Sequence, residues 1–174
     1  KENLKNLIQV TANKLKEQPY VNCHTDFEGR NILVGYEEKK LNIIDYQDMC
    51  IGPVGIDLAG IFFDHYICDE LHSNKTSLIK QLDNLKCLKS GKHSFENNEL
   101  YEFARWGCIQ RNMRILGTLS NLYLRQDRSF RLKDLTYILD NLIFAMPSEF
   151  QELKDYFKKN VSQRNEQKCK EILR

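Results

Sequence analysis

Two short apolar runs near the beginning of the chain restrict its fold more than any other feature. Residues 32–34 (Ile-Leu-Val) and 41–44 (Leu-Asn-Ile-Ile) flank the polar segment Glu37-Glu38-Lys39-Lys40, a pattern typical of a β-hairpin. The polar motif His24-x-Asp26-x4-Asn31 precedes the first run, and Asp45 directly follows the second. We therefore expect a hairpin whose open end carries these polar side chains.

The spacing also predicts the register of this hairpin. If Asn31 pairs with Asp45, the turn closes within residues 37–40 and Ile32 lies opposite Ile44. The Cα atoms of Asn31 and Asp45 are then roughly 4.5–5.5 Å apart at the open end. A shift by one residue would send these side chains to opposite faces, so the register is a specific prediction.

The chemistry of these side chains indicates phosphoryl transfer. Two carboxylates and an amide that converge on one point suit a hard cation such as Mg²⁺. A carboxylate beside that ion can orient a hydroxyl group and accept its proton, which is most of what phosphoryl transfer requires of a protein. The alternative is that Asp26, Asn31 and Asp45 are only turn and capping residues. Their joint spacing favours the site.

The motif and the residues that follow it resemble a known family. The segments His24-Thr25-Asp26…Asn31, Ile44-Asp45-Tyr46-Gln47-Asp48, Gly52-Pro53 and Asp57-Leu58-Ala59 are similar to those of the aminoglycoside phosphotransferase/choline kinase family, and the likeness extends over residues 18–145. Within the family, the chain looks most like the bacterial kinases that phosphorylate the anomeric hydroxyl of N-acetylmuramate and N-acetylglucosamine. The resemblance implies an α+β fold that is mostly α: the C-terminal lobe of a protein-kinase-like fold, with a small β-hairpin at the active site.

The resemblance also implies a role for each matching residue. Asp26 is expected to be the catalytic base, and Asn31 and Asp45 the Mg²⁺ ligands, with ATP as the phosphoryl donor. His24 and Asp57 are expected to be structural, with Asp57 accepting hydrogen bonds from backbone N–H groups of the loop. The candidate substrate-binding residues are Glu28, Arg30, Asp48 and Arg111.

Three positions depart from the residues usual in the sugar kinases: Thr25, Glu28 and Gly29. Glu28 stands two residues after Asp26, and a more acidic pocket could suit a cationic acceptor such as choline, another amino alcohol or an aminoglycoside. A kinase for such a molecule is therefore one alternative. A non-catalytic lone kinase lobe that acts as an interaction module is another.

The resemblance further predicts how the chain is organised. Residues 1–147 form the kinase-like lobe, residues 148–174 form a C-terminal helix and polar tail, and the family's N-terminal lobe is absent from the chain. Upstream sequence or a separate polypeptide could supply that lobe. In the second case, an exposed apolar patch should lie near the hairpin and the first helix.

Apolar spacing predicts helices over most of the remaining chain, and Gly52–Gly55 is typical of a loop. Asp57 is positioned to cap the N-terminus of the helix that follows it. Three arginines of the long central helix, Arg105, Arg111 and Arg114, are expected on a solvated face. The predicted helices cover residues 2–17, 58–71, 76–88, 96–124 and 132–145, with a further helix after Ser148.

Composition restricts the partners and the compartment. The 26 Lys and Arg residues nearly balance the 24 Asp and Glu residues, giving a net charge of +2 and no reason to expect nucleic acid. No apolar run is long enough to span a bilayer, so we expect no membrane partner. The six cysteines are scattered without a C-x-x-C pair, which predicts free thiols and a reducing, cytoplasmic setting for an enzyme of small molecules.

Overall fold

The computed structural model describes residues 2–35, 40–63, 98–126 and 134–172, together with positions 77 and 128. Several predicted features lie outside these residues: the hairpin turn, the end of the helix predicted to reach Leu71, and the helix predicted over 76–88.

Helices make up most of the described chain, which confirms the prediction of a mostly helical α+β fold. Helices α1, α3 and α4 agree with the apolar spacing to within three residues at each end, and α2 begins three residues earlier than predicted. The helices are α1 (Glu2–Lys16), α2 (Gly55–Phe62), α3 (Glu99–Gln126), α4 (Asp134–Ala145), α5 (Gln151–Tyr156) and α6 (Gln163–Ile172).

One apolar core joins the first five helices. Each contributes at least one buried side chain, because the apolar residues of every helix recur on one face. Burial of this kind is the main source of helix stability in a domain. Representative buried residues, one from each of α1 to α5, are Leu7, Ala59, Ile109, Leu142 and Leu153.

Helices α2 and α3 cross closely at two glycines. A Cβ atom at Gly107 would overlap the carbonyl oxygen of Gly55, so the two backbones meet where neither residue has a side chain. Gln18 reinforces the crossing: its side chain accepts a hydrogen bond from the Gly55 N–H at 2.9 Å and donates one to the Phe103 carbonyl at 3.2 Å. The crossing fixes α3 against the segment that carries the polar motif.

The described strands form two antiparallel pairs. Strand β1 (Tyr20–Cys23) pairs with β4 (Cys50–Pro53), and β2 (Ile32–Val34) pairs with β3 (Leu41–Ile43) in the predicted hairpin. A short 3₁₀ turn, Gly29–Asn31, leads into β2.

The predicted register of the hairpin is wrong by one residue. Ile32 pairs with Ile43 rather than with Ile44, and Ile44 donates its N–H to the Asn31 carbonyl at 3.0 Å. Asn31 belongs to the 3₁₀ turn and Asp45 has a left-handed backbone with φ 62°. Both residues therefore lie outside the strands, where the alternation of faces does not control the direction of a side chain.

Two local predictions around β4 are also wrong. Residues 52 and 53 are the end of a strand rather than part of a loop, and α2 starts at Gly55 rather than at Leu58. Asp57 consequently lies inside the first turn of α2 and is not its N-cap. Pro53 is tolerated because β4 belongs to a two-stranded sheet, where a missing N–H disturbs no central ladder.

The segment after Ser148 is helical and packs on the core at its start. A 3₁₀ turn (Ser148–Phe150) leads through α5 and a π-helical stretch (Phe157–Ser162) into α6. Phe150 and Leu153 are buried, whereas most of the described residues of α6 are exposed.

Two further predictions concern membranes and cysteines. None of the helices in the described ranges is both long enough and apolar enough to cross a bilayer. The four described cysteines are free thiols, with Cys23 and Cys108 buried, Cys169 half-buried and Cys50 exposed. The prediction of free thiols is confirmed for these four positions.

Candidate active site

The loop between β1 and β2 carries most of the predicted site, and Asp57 holds it to α2. The Asp57 carboxylate accepts hydrogen bonds from the backbone N–H of His24 at 2.6 Å and of Thr25 at 2.9 Å. Thr25 has a left-handed backbone, φ 70°, which a non-glycine residue adopts only when its surroundings impose it. The contact implied by the resemblance is present, and it stabilises an unusual bend immediately before Asp26.

The same loop also packs against a glycine of α2, Gly60. A Cβ atom at Gly60 would overlap the carbonyl oxygen of Phe27, so the loop backbone rests directly on α2. The loop is thus fixed both by the carboxylate of Asp57 and by the bare backbone of Gly60.

His24 connects the loop to the segment that follows β3. Its buried ring places Nε2 2.8 Å from the carbonyl oxygen of Ile44, the residue before Asp45. Since a carbonyl only accepts, Nε2 carries the proton in this contact. His24 therefore acts as a structural link between the two halves of the motif.

Two arginines hold the Asp26 carboxylate. Arg30 Nη2 lies 2.9 Å from Asp26 Oδ2, and Arg111 Nη1 of α3 lies 3.1 Å from Oδ1. Partial burial raises the pKa of Asp26, but the hydrogen bond from Arg30 and the charge of Arg111 outweigh burial and leave that pKa below its ordinary value. Asp26 is therefore an ionised carboxylate at neutral pH, and a hydrogen-bond acceptor.

Glu28 is buried and paired with the same two arginines. Its side chain is 2% exposed, and its carboxylate contacts Arg111 Nη2 and Arg30 Nε. Two carboxylates and two guanidinium groups bring the formal charge of this cluster to zero. The negative charge that Glu28 adds near Asp26 is thus neutralised by the two arginines.

Asn31 and Asp45 lie at adjoining ends of the hairpin. Asn31 is buried, and its Nδ2 donates to the Asp26 carbonyl at 2.8 Å. Asp45 is exposed, and its Oδ1 accepts a hydrogen bond from Gln47 Nε2 at 2.8 Å. The backbone hydrogen bond from the Ile44 N–H to the Asn31 carbonyl holds the backbones of Asn31 and Asp45 close together.

The loop lies in a part of the chain that is similar to a known family. Residues 2–74 match the phosphotransferase enzyme family. This range contains the loop, the hairpin and the Asp57 brace, and it confirms the resemblance predicted from the sequence. Arg111 lies outside the matched range.

The chain is also similar to a characterised kinase. It is 28% identical over 115 residues to the N-acetylmuramate/N-acetylglucosamine kinase of Neisseria meningitidis serogroup B. The alignment covers 66% of this chain and 33% of that kinase, so the chain spans about a third of its relative. Together, the two matches show similarity to kinase-type phosphotransferases, enzymes that use ATP, generally with a metal ion.

The residues fit a metal that is shared with substrate. No group of three or more His, Cys, Asp and Glu side chains lies at metal-binding distance in the described part of the chain. A phosphotransferase does not need one, since Mg²⁺ is commonly held by one or two protein ligands together with phosphate oxygens. Asn31 uses its amide nitrogen in the described contact, so its amide oxygen and the Asp45 carboxylate are the atoms that would hold the metal.

Two of the candidate substrate-binding residues, Arg30 and Asp48, are accessible to solvent. Arg30 is about half exposed at the rim of the loop. Asp48 is exposed, and its backbone carbonyl, rather than its carboxylate, is 3.5 Å from the Thr25 hydroxyl. Their role as substrate ligands of the candidate site stays a prediction.

The prediction of a solvated arginine face on α3 is wrong at two of its three positions. Arg111 is 5% exposed and binds the loop, while Arg105 donates from Nε to the Ala145 carbonyl at 2.7 Å. Arg114 is exposed, as predicted. The sequence analysis also missed Gln47, whose polar side chain two residues after Asp45 was the available signal.

Proposed function

We propose that the protein carrying this chain is an ATP-dependent kinase of a small-molecule hydroxyl, most simply the anomeric hydroxyl of N-acetylmuramate or N-acetylglucosamine. The observation that carries the proposal is the seating of Asp26: an ionised carboxylate held from both oxygens and braced one residue from a strained bend. The similarity to a kinase for these two sugars supports the choice of acceptor.

Asp26 would orient the acceptor and take its proton. A carboxylate with a lowered pKa is a weak base, so it accepts a hydrogen bond from the hydroxyl and receives the proton as the new oxygen–phosphorus bond forms. The bond between the γ-phosphorus and the β,γ-bridging oxygen breaks, which gives a sugar 1-phosphate and ADP. Bound Mg²⁺ neutralises phosphate charge, and Asn31 and Asp45 are the residues that would hold it.

The charge around Asp26 favours a neutral or anionic acceptor. A cationic acceptor would gain from an unpaired Glu28, but Glu28 is buried against two arginines and the cluster carries no net charge. This favours the amino sugars over choline, another amino alcohol or an aminoglycoside.

The hairpin supports the proposal that this chain is the C-terminal lobe of its kinase. Ile32, Val34, Leu41 and Ile43 share one face of the two-stranded sheet, with Val34 68% and Leu41 66% exposed. An isolated hairpin with bare apolar faces is marginal in water. We propose that an N-terminal lobe, from the rest of the protein or from another chain, covers this face and the nucleotide in the cytoplasm.

The test is ADP release by the complete protein that carries this chain. It is given Mg-ATP with N-acetylmuramate or N-acetylglucosamine, and separately with choline and an aminoglycoside. Asp26→Asn should lower kcat by on the order of 10²- to 10⁴-fold, because it removes the proton acceptor without changing the shape of the side chain. Asp155→Asn, an exposed change on α5, is the matched control.

Each outcome decides between the alternatives. Sugar-dependent turnover that collapses in Asp26→Asn supports the sugar kinase. Turnover with cationic alcohols alone would replace the acceptor and retain the phosphotransferase. Failure to bind ATP would contradict the enzyme and favour a non-catalytic lobe.

A further inference from the structure

We infer that Arg111 is the residue that sets the position of Asp26, by clamping the loop onto the long helix α3. The inference deepens the proposed function and rests on it for the role of Asp26 in the reaction. The clamp itself is a feature of the geometry.

A single guanidinium group reaches three successive points of the loop. Arg111 Nη1 donates to the Thr25 carbonyl at 3.4 Å and to Asp26 Oδ1 at 3.1 Å, while Nη2 contacts Glu28 Oε2. The planar fork of an arginine fixes direction as well as distance, which a lysine ammonium does not. The contacts therefore restrict both the loop backbone and the rotation of the Asp26 carboxylate.

Arg30 and Arg111 differ in burial, which indicates different roles. Arg30 contacts the other oxygen of Asp26 and also Glu28, but its side chain is 48% exposed. Arg111 is 5% exposed and its partner Glu28 is 2% exposed. Buried charges are retained only in a defined geometry with their partners. Arg111 and Glu28 together are thus the rigid support, and Asp26 is the group they present.

The position of Arg111 explains why it acts on Asp26 and not on the acceptor. Its three described contacts all point to the loop, and its guanidinium is buried beneath Asp26. Removal of the clamp should leave substrate binding largely intact and misplace the reacting carboxylate. A displacement of about 1 Å can lower kcat by about 10²-fold.

The kinetic test uses the complete protein with Arg111→Ala and Arg111→Lys. We expect kcat to fall by one to two orders of magnitude, with the KM values for ATP and for the acceptor within about threefold. Millimolar guanidinium should restore part of the kcat of Arg111→Ala and none of that of Asp26→Asn. The Arg111→Lys variant should have a lower kcat than the parent protein. Arg114→Ala, on the exposed side of the same helix, is the control and should retain full kcat. An unchanged kcat, or a raised acceptor KM with unchanged kcat, would overturn the inference.

A second readout does not depend on activity. The double variant Arg111→Met/Glu28→Gln removes both buried charges together, so that neither is left unpaired and the chain can fold. We expect faster hydrogen–deuterium exchange at residues 24–31 than in Arg114→Met, with unchanged exchange in α4. Unchanged exchange at 24–31 would overturn the clamp. If the parent protein phosphorylates none of the acceptors while this exchange increases, the proposed function fails and the clamp stands.

Discussion

The Oδ2 atom of Asp57 lies 2.6 Å from the backbone nitrogen of His24, and this contact joins α2 to the loop that carries Asp26. Asp57→Ala should lower the free energy of unfolding by about 1–3 kcal/mol, because two backbone N–H groups lose their acceptor. Asp57→Asn should cost less, since one oxygen remains. Chemical denaturation measures both, with Asp155→Ala as the surface control. A loss no larger than that of the control would contradict the brace.

The crossing of α2 and α3 should not tolerate a methyl group. Gly107→Ala places a Cβ against the Gly55 carbonyl, and overpacking of this kind costs about 1–3 kcal/mol. Gly117 lies on the same helix, and a Cβ atom there would meet nothing within 4 Å. Gly117→Ala should therefore stabilise the chain, by about 0.5–1 kcal/mol. Thermal unfolding of the pair tests the contact, and equal shifts would argue against a close crossing.

The apolar face of the hairpin should govern association rather than stability. Val34→Asp with Leu41→Asp changes exposed positions, and the free energy of unfolding should move by no more than about 0.5 kcal/mol per site. Leu7→Ala, at a fully buried site, should cost about 2–5 kcal/mol. Sedimentation of the chain should show less self-association in the aspartate variant, and increased association would contradict the assignment of this face.

Two neighbouring cysteines should react at different rates. Cys50 is exposed, whereas burial, with the nearby Asp57 charge, raises the pKa of Cys23 to about 11 from 9.0. Iodoacetamide followed by peptide mapping should modify Cys50 in the folded chain and Cys23 only on unfolding.

The raised pKa of Cys23 also predicts how the stability of the fold changes with pH. Between pH 9 and about 11 the unfolded thiol of Cys23 releases its proton before the folded one does. Stability should therefore fall as pH rises through this window. Cys23→Ala should remove that part of the slope, and a slope unchanged by the substitution would contradict the assignment.

The proposed role of Asp45 as a metal ligand can be tested without a change of fold. Asp45 has φ 62°, a conformation that asparagine adopts readily, so Asp45→Asn should preserve the backbone. If the complete protein is the proposed kinase, Asp45→Asn should raise the Mg²⁺ concentration for half-maximal activity about tenfold or more, because a charged ligand becomes neutral. Asn42→Asp, an exposed change on β3, is the control. An unchanged Mg²⁺ requirement would remove Asp45 from the metal site.

The hairpin shows what the sequence could and could not predict. The runs at 32–34 and 41–44 predicted two strands because apolar residues and polar turn residues separate cleanly. They did not define the register, because Ile43 and Ile44 are both apolar and either can face Ile32. The local backbone decided it, through a 3₁₀ turn at Asn31 and a left-handed Asp45.

Contacts between residues far apart in the sequence were the second feature that the sequence could not predict. The brace from Asp57 followed from family resemblance, but the burial of Arg111 depends on Glu28, 83 residues away in sequence. On α3 alone, an arginine among polar neighbours is typical of a solvated face. Strand β4 was missed for a related reason: Gly52-Pro53 is a turn dipeptide locally, and only its pairing with β1 makes it a strand.

The glycine crossing has a consequence for the interpretation of mutant data on this chain. Arg111 follows Gly107 by four residues, which is one turn of α3, so the depth of the crossing determines how far its guanidinium extends toward the loop. A substitution that separates the two helices would draw the arginine back from Asp26. Such a variant could remain folded and bind its substrates, and it would be scored in an assay as a catalytic defect although the altered atom touches nothing that reacts.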